Sequence, residues 1–446
     1  MNTNIDFINT NTRKSFLAMA LPMAAAMFLN LAYNIVDSIW IGNILGETAM
    51  AALTSAMPII LLLTSIAMGA TNGFSILLSQ CIGAEENTNS LITTSFIVAL
   101  AFPMLLTIIL EIGLPVILTW LQTPAEIMSM AHDYLSVYLL GYVAVFLYMY
   151  FTAVLRSYGN TMLQAVAILL CTVLNAILDP ILIKIIGFHG AAIATLISQA
   201  IAAAILIVYL IRKKLFTIHI TTFDIGLLPK LGKTALPSII QQSVPAISTS
   251  FLTAIVSGFT ITAIAGYGIA GKLETILLYP AMAFSMVLTT IVGQCIGGKR
   301  TDRAKDYLKC AFIYGGGFVL ILSVLVVAVA KPLSGLFINT EAVASIVSTY
   351  FLIIGIGYVF NTLTNCLLGT INGIGKPTIG MLLMLFYYLI VRMPLAFLLS
   401  NTVLGINGVW CAVLISHIVA FVSATGVYKV CIRRGSFKAA LGEQGN

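Results

Sequence analysis

Long, nearly uncharged apolar runs follow one another along almost the whole chain. A helix needs about 20 mostly apolar residues to cross the hydrocarbon core of a bilayer. Here 60% of the 446 residues are hydrophobic, 8% are charged, and the mean hydropathy is +1.06. A soluble domain carries roughly 25% charged residues, and the runs leave no stretch long enough for one. The sequence therefore predicts an all-α, polytopic membrane protein.

Twelve spans can be placed on these apolar runs. They lie at 16–40, 50–80, 92–120, 133–156, 161–186, 190–211, 236–266, 275–297, 311–331, 345–370, 378–400 and 405–431. With the N-terminus inside, nearly all Lys and Arg at span ends and in loops, Arg156 among them, fall on the cytoplasmic side; the exceptions are Lys184, Lys272 and Lys331. This bias follows the positive-inside rule. It predicts a multi-pass protein of the cytoplasmic (inner) membrane with both termini in the cytoplasm.

The sequence is also doubled. SQCIGA at 79–84 recurs as GQCIGG at 293–298, and LRSYGN at 155–160 matches TINGIGK at 370–376. Because an even number of spans separates the copies, both halves have the same orientation, which is typical of transporters with parallel repeats. We predict two pseudo-symmetric six-helix bundles, at 1–211 and 236–446, joined by a cytoplasmic linker at 212–235.

Asp37 lies deep in the first predicted span. Ionisable side chains inside a span cost roughly 2.5–3.5 kcal/mol on insertion scales and are therefore functional candidates. Asn30, Tyr33, Asn34 and Asp37 recur at helical spacing and form one polar stripe, which we expect to face the interior of the bundle. A hydrated carboxylate near a helix end is the alternative, but such a residue does not need the stripe beside it.

Asp179 is the second deep acid, in the fifth span. It shares a helix face with Asn175, and Pro180 interrupts the helical hydrogen bonding beside it. A kinked helix with a locally bonded aspartate is the alternative. Two carboxylates close together in a low dielectric repel, so they take up a proton or share a cation. Oxygens of Asp37, Asn175, Asp179 and Thr195 would suit sodium; the residues do not decide between proton and sodium.

The second half shows polar residues but no acid deep in a span, because Glu274 falls near the predicted outer end of the seventh span, with Lys272. This asymmetry predicts that ion coupling belongs to the first half. Interhelical hydrogen bonding is the alternative for most polar residues of the spans, and Arg392 can also pair with a carbonyl or snorkel. The candidate lining of a substrate cavity is Asn34, Gln241, Gln242, Asn361, Asn365 and Arg392, and the candidate hinges are Pro22 and Pro180.

Five segments, in order along the chain, carry a family resemblance. They are Pro22, NIVDSIWIGNILGETAMAAL around Asp37, SQCIGA, LRSYGN, and LNAILDPILI around Asp179. With them the chain resembles the multidrug and toxic compound extrusion (MATE) family, in its DinF-like branch, over nearly its whole length. The resemblance implies antiport, in which a proton or sodium ion enters through the N-terminal lobe and an amphipathic, often cationic compound leaves. It implies a cation site at Asp37, Asn175 and Asp179, with Tyr33, Tyr134 and Thr195 as neighbours.

Other function classes stay open at this point. A lipid-linked oligosaccharide flippase shares the wider superfamily architecture, but it should present several basic residues to its cavity, where only Arg392 lies inside a span. A dedicated metabolite exporter, a passive channel and a non-transporting receptor are further alternatives. We expect no enzyme activity, no nucleic-acid partner despite the net charge of +7, and no cofactor besides the coupling ion. We also expect a monomer in the lipid bilayer that handles small organic molecules.

Overall fold

The computed structural model describes residues 5–338 and 340–433, and every regular element in these ranges is helical. The α-helices are α1 (Thr12–Gly83), α2 (Asn89–Trp120), α3 (Ala125–Leu140), α4 (Tyr142–Ser157), α5 (Thr161–Ile186), α6 (His189–Arg212), α7 (Leu228–Ser257), α8 (Ile261–Gly297), α9 (Thr301–Cys310), α10 (Gly316–Gly335), α11 (Glu341–Ile354), α12 (Gly357–Gly373), α13 (Pro377–Leu385), α14 (Met393–Ser400) and α15 (Ile406–Arg433). Two π-helical segments, Ala311–Gly315 and Phe386–Arg392, continue α9 into α10 and α13 into α14. Short 3-10 turns, Ile220–Thr222 and Ile225–Leu227, precede α7.

The first helix, α1, holds two spans that reverse direction at Gly46. A straight helix of 72 residues would be about 108 Å long, yet Met27 and Met68 line the same cavity. Gly46 alone within α1 has non-helical dihedrals, with φ 80° and ψ −165°. A side chain would be strained in that conformation, and glycine adopts it readily. The predicted loop between the first two spans is therefore reduced to one turning residue.

The described part of the chain crosses a bilayer twelve times. Nine of its helices are long and apolar enough to span, and two bent pairs, α3 with α4 at 48° and α11 with α12 at 52°, raise the number to eleven. The reversal at Gly46 divides the first of them and gives twelve. The two bends fall at equivalent places of the two halves. The predicted all-α architecture of twelve helices in two pseudo-symmetric bundles is confirmed.

Some predicted boundaries are wrong. The fourth span begins with α3 at Ala125, not at 133. The seventh runs over Leu228–Ser257, so the end of the predicted linker is helical, and the eighth begins at Ile261, not at 275. The sequence reasoning placed Glu274 and its charged neighbour outside a span, whereas both lie within α8. Because Lys272 and Glu274 lie in the middle of α8, the sequence reasoning placed the seventh and eighth spans too far toward the C-terminus.

Two hydrophobic cores divide the described chain, one from residues 26–231 and one mainly from residues 244–424. We call α1–α6 the first lobe and α7–α15 the second lobe. The start of α1 crosses between them, because Phe7 and Phe16 are fully buried in the core of the second lobe. Leu231, at the start of α7, is in turn buried in the core of the first lobe. This exchange follows the internal two-fold relation. The lobe boundaries predicted from the sequence, 1–211 and 236–446, stay a prediction.

The lobes approach each other most closely where the repeated motif ends α1 and α8. A Cβ atom on Gly83 would lie 2.0 Å from the carbonyl oxygen of Gln294, and a Cβ atom on Gly297 would lie 2.0 Å from the carbonyl oxygen of Gln80. Both distances are far below van der Waals contact. Only glycine therefore fits at either position, and the two contacts are equivalent under the internal two-fold.

Reciprocal hydrogen bonds join the lobes at the same end. The Gln80 side chain donates through Nε2 to the carbonyl oxygen of Gly373 at 2.9 Å, and the Gln294 side chain donates through Nε2 to the carbonyl oxygen of Ser157 at 2.6 Å. These carbonyls end α12 and α4, where the helix itself supplies no donor. Each lobe thus caps a helix of the other. We call these two hydrogen bonds and the two glycine contacts the interlobe seal.

Candidate cation site and its surroundings

Asp37 and Asp179, the two candidate coupling acids, meet inside the first lobe. Asp37 comes from the first span of α1 and Asp179 from α5, and their carboxyl groups are close enough to interact electrostatically. Asp179 is fully buried and Asp37 is half-buried. Two carboxylates this close repel in a low dielectric, and a shared proton or cation removes the repulsion.

Four buried oxygens around these acids make no hydrogen bond to the described part of the chain: Tyr33 OH, Asp37 Oδ1, Asn175 Oδ1 and Asp179 Oδ2. Asn175 is held in place because its Nδ2 donates to the other Asp179 oxygen, Oδ1, at 3.0 Å. Thr195 of α6 faces Tyr33. Buried polar atoms without partners are uncommon and costly. The residues expected at the cation site thus lie together, and their oxygen set fits a proton or a hard cation.

Aromatic side chains of α3 cover the acids. Tyr134 is buried within electrostatic reach of both aspartates, and its ring stacks on Phe188 with centroids 4.6 Å apart. Sequence reasoning missed Tyr138, which is also buried and faces Asp37. Its spacing of four residues from Tyr134 puts both on one helix face. That spacing was the available signal.

The candidate hinges Pro22 and Pro180 lie inside helical segments without a break at either position. Pro180 directly follows the buried Asp179. Its missing N–H leaves the carbonyl of Ala176 without a helical donor. The hinge role of both prolines stays a prediction.

Several polar candidates of the second lobe are bonded to neighbouring groups. The side chain of Gln241 donates to Asn372 Oδ1 at 3.2 Å and to the Pro377 carbonyl at 2.7 Å, and Asn372 Nδ2 donates back to Gln241 Oε1 at 3.1 Å. The amide of Gln241 has therefore used both its N–H groups and its oxygen. Asn365 Nδ2 likewise donates to the carbonyl oxygen of Asn361 at 3.0 Å. The interhelical alternative describes Gln241 better than a role in a cavity.

Loss of the Gln241 amide is expected to lower stability and to leave transport intact. Gln241→Leu strands the Asn372 side chain, and interhelical hydrogen bonds in membranes contribute about 0.6 kcal/mol on average, up to about 1.7. We expect the free energy of unfolding to fall by about 1 kcal/mol, measured by thermal unfolding in detergent. Gln242→Leu, at the half-buried next position, serves as the control for stability alone. A loss of efflux per folded molecule in Gln241→Leu would contradict this assignment.

Asn34 and Gln242, the other two amide candidates, are more accessible. Asn34 is exposed, and its Nδ2 donates to the carbonyl oxygen of Asn30 one turn earlier at 2.8 Å. Gln242 is half-buried on α7. Both amides therefore keep hydrogen-bonding capacity, and their contact with substrate stays a prediction.

A polar cluster around Arg392 lies inside the second lobe. Arg392 is 6% exposed and ends the π-helical segment Phe386–Arg392, and its guanidinium lies 4.4 Å from the ring centroid of Tyr388. Glu274 is within electrostatic reach of Arg392 and faces the hydroxyl of Tyr358. The expectation that the second half holds no acid deep in a span is therefore wrong, because Glu274 lies within α8. Arg392 does not snorkel, because its Nε donates to Ser416 Oγ at 2.8 Å.

Arg156 belongs to the interior and not to the cytoplasmic loop charges. It is 3% exposed, in the last turn of α4, and it lines a cavity together with Asn30 and Gln164. The sequence analysis places only Arg392 inside a span, and the described chain buries a second arginine side chain, that of Arg156. Sequence reasoning assigns a charged residue at the end of an apolar run to the adjoining loop. The sequence signal that could have marked Arg156 as an interior residue was its position in the repeated segment LRSYGN.

Comparison with known proteins gives matches over both halves of the chain. The MatE family model matches residues 22–181 and 237–398. The probable multidrug resistance protein YpnP of Bacillus subtilis is 27% identical over 97% of this chain and 98% of its own length. The FAD transporter of Shewanella oneidensis is 27% identical over 90% of this chain and 91% of its own. The crystal structure of an aspartate-to-asparagine mutant of the Vibrio cholerae MATE transporter VcmN superposes with a TM-score of 0.90 at 24% identity, covering 96% of this chain and 98% of that one.

Proposed function

This chain belongs to the MatE family of multi-pass membrane transporters, and we propose that it is a secondary active antiporter that exports amphipathic organic compounds in exchange for protons or sodium ions. The observation that carries the proposal is the meeting of Asp37 and Asp179, with unpartnered oxygens of Tyr33 and Asn175 beside them. An ion-coupled carrier needs a buried site whose charge depends on the bound cation. This pair supplies one.

The first span of α1 links the cation site to the cavity. Asn30 lines the cavity, Asp37 follows it by about two helical turns, and Asn34 donates to Asn30 between them. Cation uptake at Asp37 and Asp179 removes their mutual repulsion and so changes the packing of α1 against α5. We propose that this change weakens substrate binding, with Pro22 as the hinge. Each positive charge that enters is driven by about 2.3 kcal/mol per 100 mV of membrane potential.

Alternating access would then proceed by opening and closing the interlobe seal. The seal lies at the end of the molecule where Gly298 packs against Ile8, close to the N-terminus that we place in the cytoplasm. We infer that the seal closes the cytoplasmic side, so that the conformation described faces outward. Opening toward the cytoplasm breaks both glutamine hydrogen bonds while the lobes rock about the internal axis.

We further propose a monomer in the cytoplasmic membrane, of the DinF-like branch, with the coupling acids Asp37 and Asp179 in the first lobe. A dedicated exporter of one metabolite is the second candidate function. Two observations support it: the relative from Shewanella oneidensis is named an FAD transporter, and the buried Arg156 favours a negatively charged compound over a cationic one.

Efflux under separately imposed ion gradients tests the antiport proposal. The purified chain is reconstituted into vesicles loaded with a fluorescent amphipathic dye, and a proton or a sodium gradient is applied alone. We expect one gradient to drive dye against its own concentration gradient, and an ionophore that dissipates that gradient to stop it. Dye movement that is always downhill, and indifferent to both gradients, would support a channel and contradict the proposal.

A further inference from the structure

A small cavity that is open to solvent lies between the first lobe and α8 of the second lobe. Much of its lining is methionine: Met23, Met27, Met68, Met149 and Met286. Methionine is flexible and polarizable, so such a lining adapts to apolar groups of different shape. A mostly apolar wall with a few polar groups is the usual make-up of a small-molecule site.

Arg156 is the cationic residue of this lining. Its side chain is 3% exposed, its Nε has no hydrogen-bond partner, and neither a hydrogen bond nor an ion pair joins it to the described residues. Gln164, on the same cavity wall, has an unpartnered Oε1. None of the lining residues, all in the described ranges, is a carboxylate. A buried guanidinium without a counter-charge has an unfavourable desolvation free energy, and a bound anionic group would compensate for it.

Other arginines of the chain show what a structural role looks like here. Arg303 donates to the Phe7 carbonyl at 3.1 Å and to Thr12 Oγ1 at 2.9 Å, and Arg392 donates to Ser416 Oγ. Both hold neighbouring segments together through hydrogen bonds. Arg156 makes no comparable bond within the described chain, so packing of the protein does not account for its charge.

The second lobe provides an internal comparison. The segment LRSYGN places Arg156 opposite Asn372 of TINGIGK, and Asn372 is fully engaged with Gln241. At the position equivalent to Arg156, the second lobe therefore carries a short amide, Asn372, whose side chain is hydrogen-bonded to Gln241. In the first lobe the same position carries a guanidinium that faces an open cavity. The difference between the two halves points to a ligand for Arg156.

We propose that this cavity binds the carboxylate or phosphate group of an amphipathic substrate at Arg156, with the apolar part of the substrate against the methionines. A guanidinium presents paired donors that match the two oxygens of either anion. The free Oε1 of Gln164 accepts a hydrogen bond from a hydroxyl or amine beside that anion. The proposal rests on the transport function above and specifies that the amphipathic substrate is anionic or zwitterionic.

Matched probe pairs, in which one member carries the anionic group and the other does not, test this proposal by binding to the full chain in detergent. The free acid and the methyl ester of one rhodamine dye report on carboxylate, and riboflavin phosphate against riboflavin reports on phosphate. We expect the wild type to prefer the charged member of at least one pair by about tenfold or more, and which pair shows the preference identifies the anion. Equal binding within both pairs would overturn the proposal.

Variants of Arg156 test whether this residue causes the preference for the charged probe. Arg156→Gln is expected to lose it while the uncharged probe binds as before, and Arg156→Lys is expected to retain part of it. Arg212→Gln, at an exposed arginine that ends α6, is the matched control. If Arg156→Gln binds both members of a pair less tightly by the same factor, the arginine is structural and the proposal fails, and thermal unfolding checks that each variant is folded.

Binding in detergent needs no ion gradient, so its outcome is separate from that of the antiport proposal. Asp37→Asn, expected to lose coupled efflux, is expected to keep the preference for the charged probe. Lost anion preference in the wild type would contradict the inference and leave antiport standing. Missing coupling with intact preference would contradict antiport alone.

Discussion

Replacement of Asp179 by asparagine is expected to abolish gradient-driven efflux. Asparagine keeps the size of the side chain but can neither release a proton nor offer a full negative charge to a cation. Because Asp179 is fully buried beside Asp37, bulk water cannot take over the role of the lost carboxylate in binding the cation or proton. We expect uphill dye efflux to fall to the level of protein-free vesicles, measured with the driving gradient imposed. Asp37→Asn is expected to give the same result.

Stability separates this loss of function from misfolding. Removing one of two repelling carboxylates relieves an unfavourable interaction, so Asp179→Asn is expected to unfold at the same temperature as the wild type or higher. Asp133→Asn makes the same chemical change at a half-exposed site on α3 and is expected to leave both efflux and stability unchanged. Uphill efflux with unaltered ion dependence in both Asp37→Asn and Asp179→Asn would remove these acids from the coupling mechanism.

The features that could be predicted from the sequence are those carried by contiguous or repeated residues. The fifth predicted span, 161–186, has the bounds of α5, because an apolar run between polar ends reports directly on membrane thickness. The helical spacing that grouped Tyr33 with Asp37 likewise depends only on the period of one helix. The repeat at 79–84 and 293–298 predicted the two-fold relation between the halves.

The features that could not be predicted depend on neighbours from other spans. Gln241 and Arg156 are both polar residues beside apolar runs, and nothing local distinguishes them. Packing gives the Gln241 side chain three hydrogen bonds and leaves the Arg156 side chain with none in the described chain. Glu274 was misplaced for a related reason, since hydropathy treats a charge as the end of a span. In α8 the membrane segment instead continues through Glu274, where Tyr358 and Arg392 surround it.

The interlobe seal leads to the second prediction with a large expected effect, because its glycines leave no room for a side chain. In Gly83→Val the new Cβ atom would lie 2.0 Å from the Gln294 carbonyl oxygen, which belongs to the backbone of α8 and cannot turn aside. The lobes must separate at this end, so Gln80 and Gln294 lose their acceptors. We expect the cytoplasmic side to stay open and efflux to fall at least tenfold, since a carrier held in one state cannot complete its cycle.

A cysteine placed at the lobe interface beside the interlobe seal reports the opening directly. Ser75 is fully buried at the lobe interface, with its Oγ 2.8 Å from Ser157 Oγ and 3.4 Å from Thr290 Oγ1 of the second lobe. In a background without native cysteines, Ser75→Cys is expected to react slowly with a hydrophilic maleimide added from the cytoplasmic side, and Gly83→Val is expected to speed the reaction. Gly317→Val is the control, because a Cβ atom there meets nothing within 4 Å. Slow labelling together with normal efflux in Gly83→Val would show that the lobes do not need this contact to close, and that the cytoplasmic gate lies elsewhere.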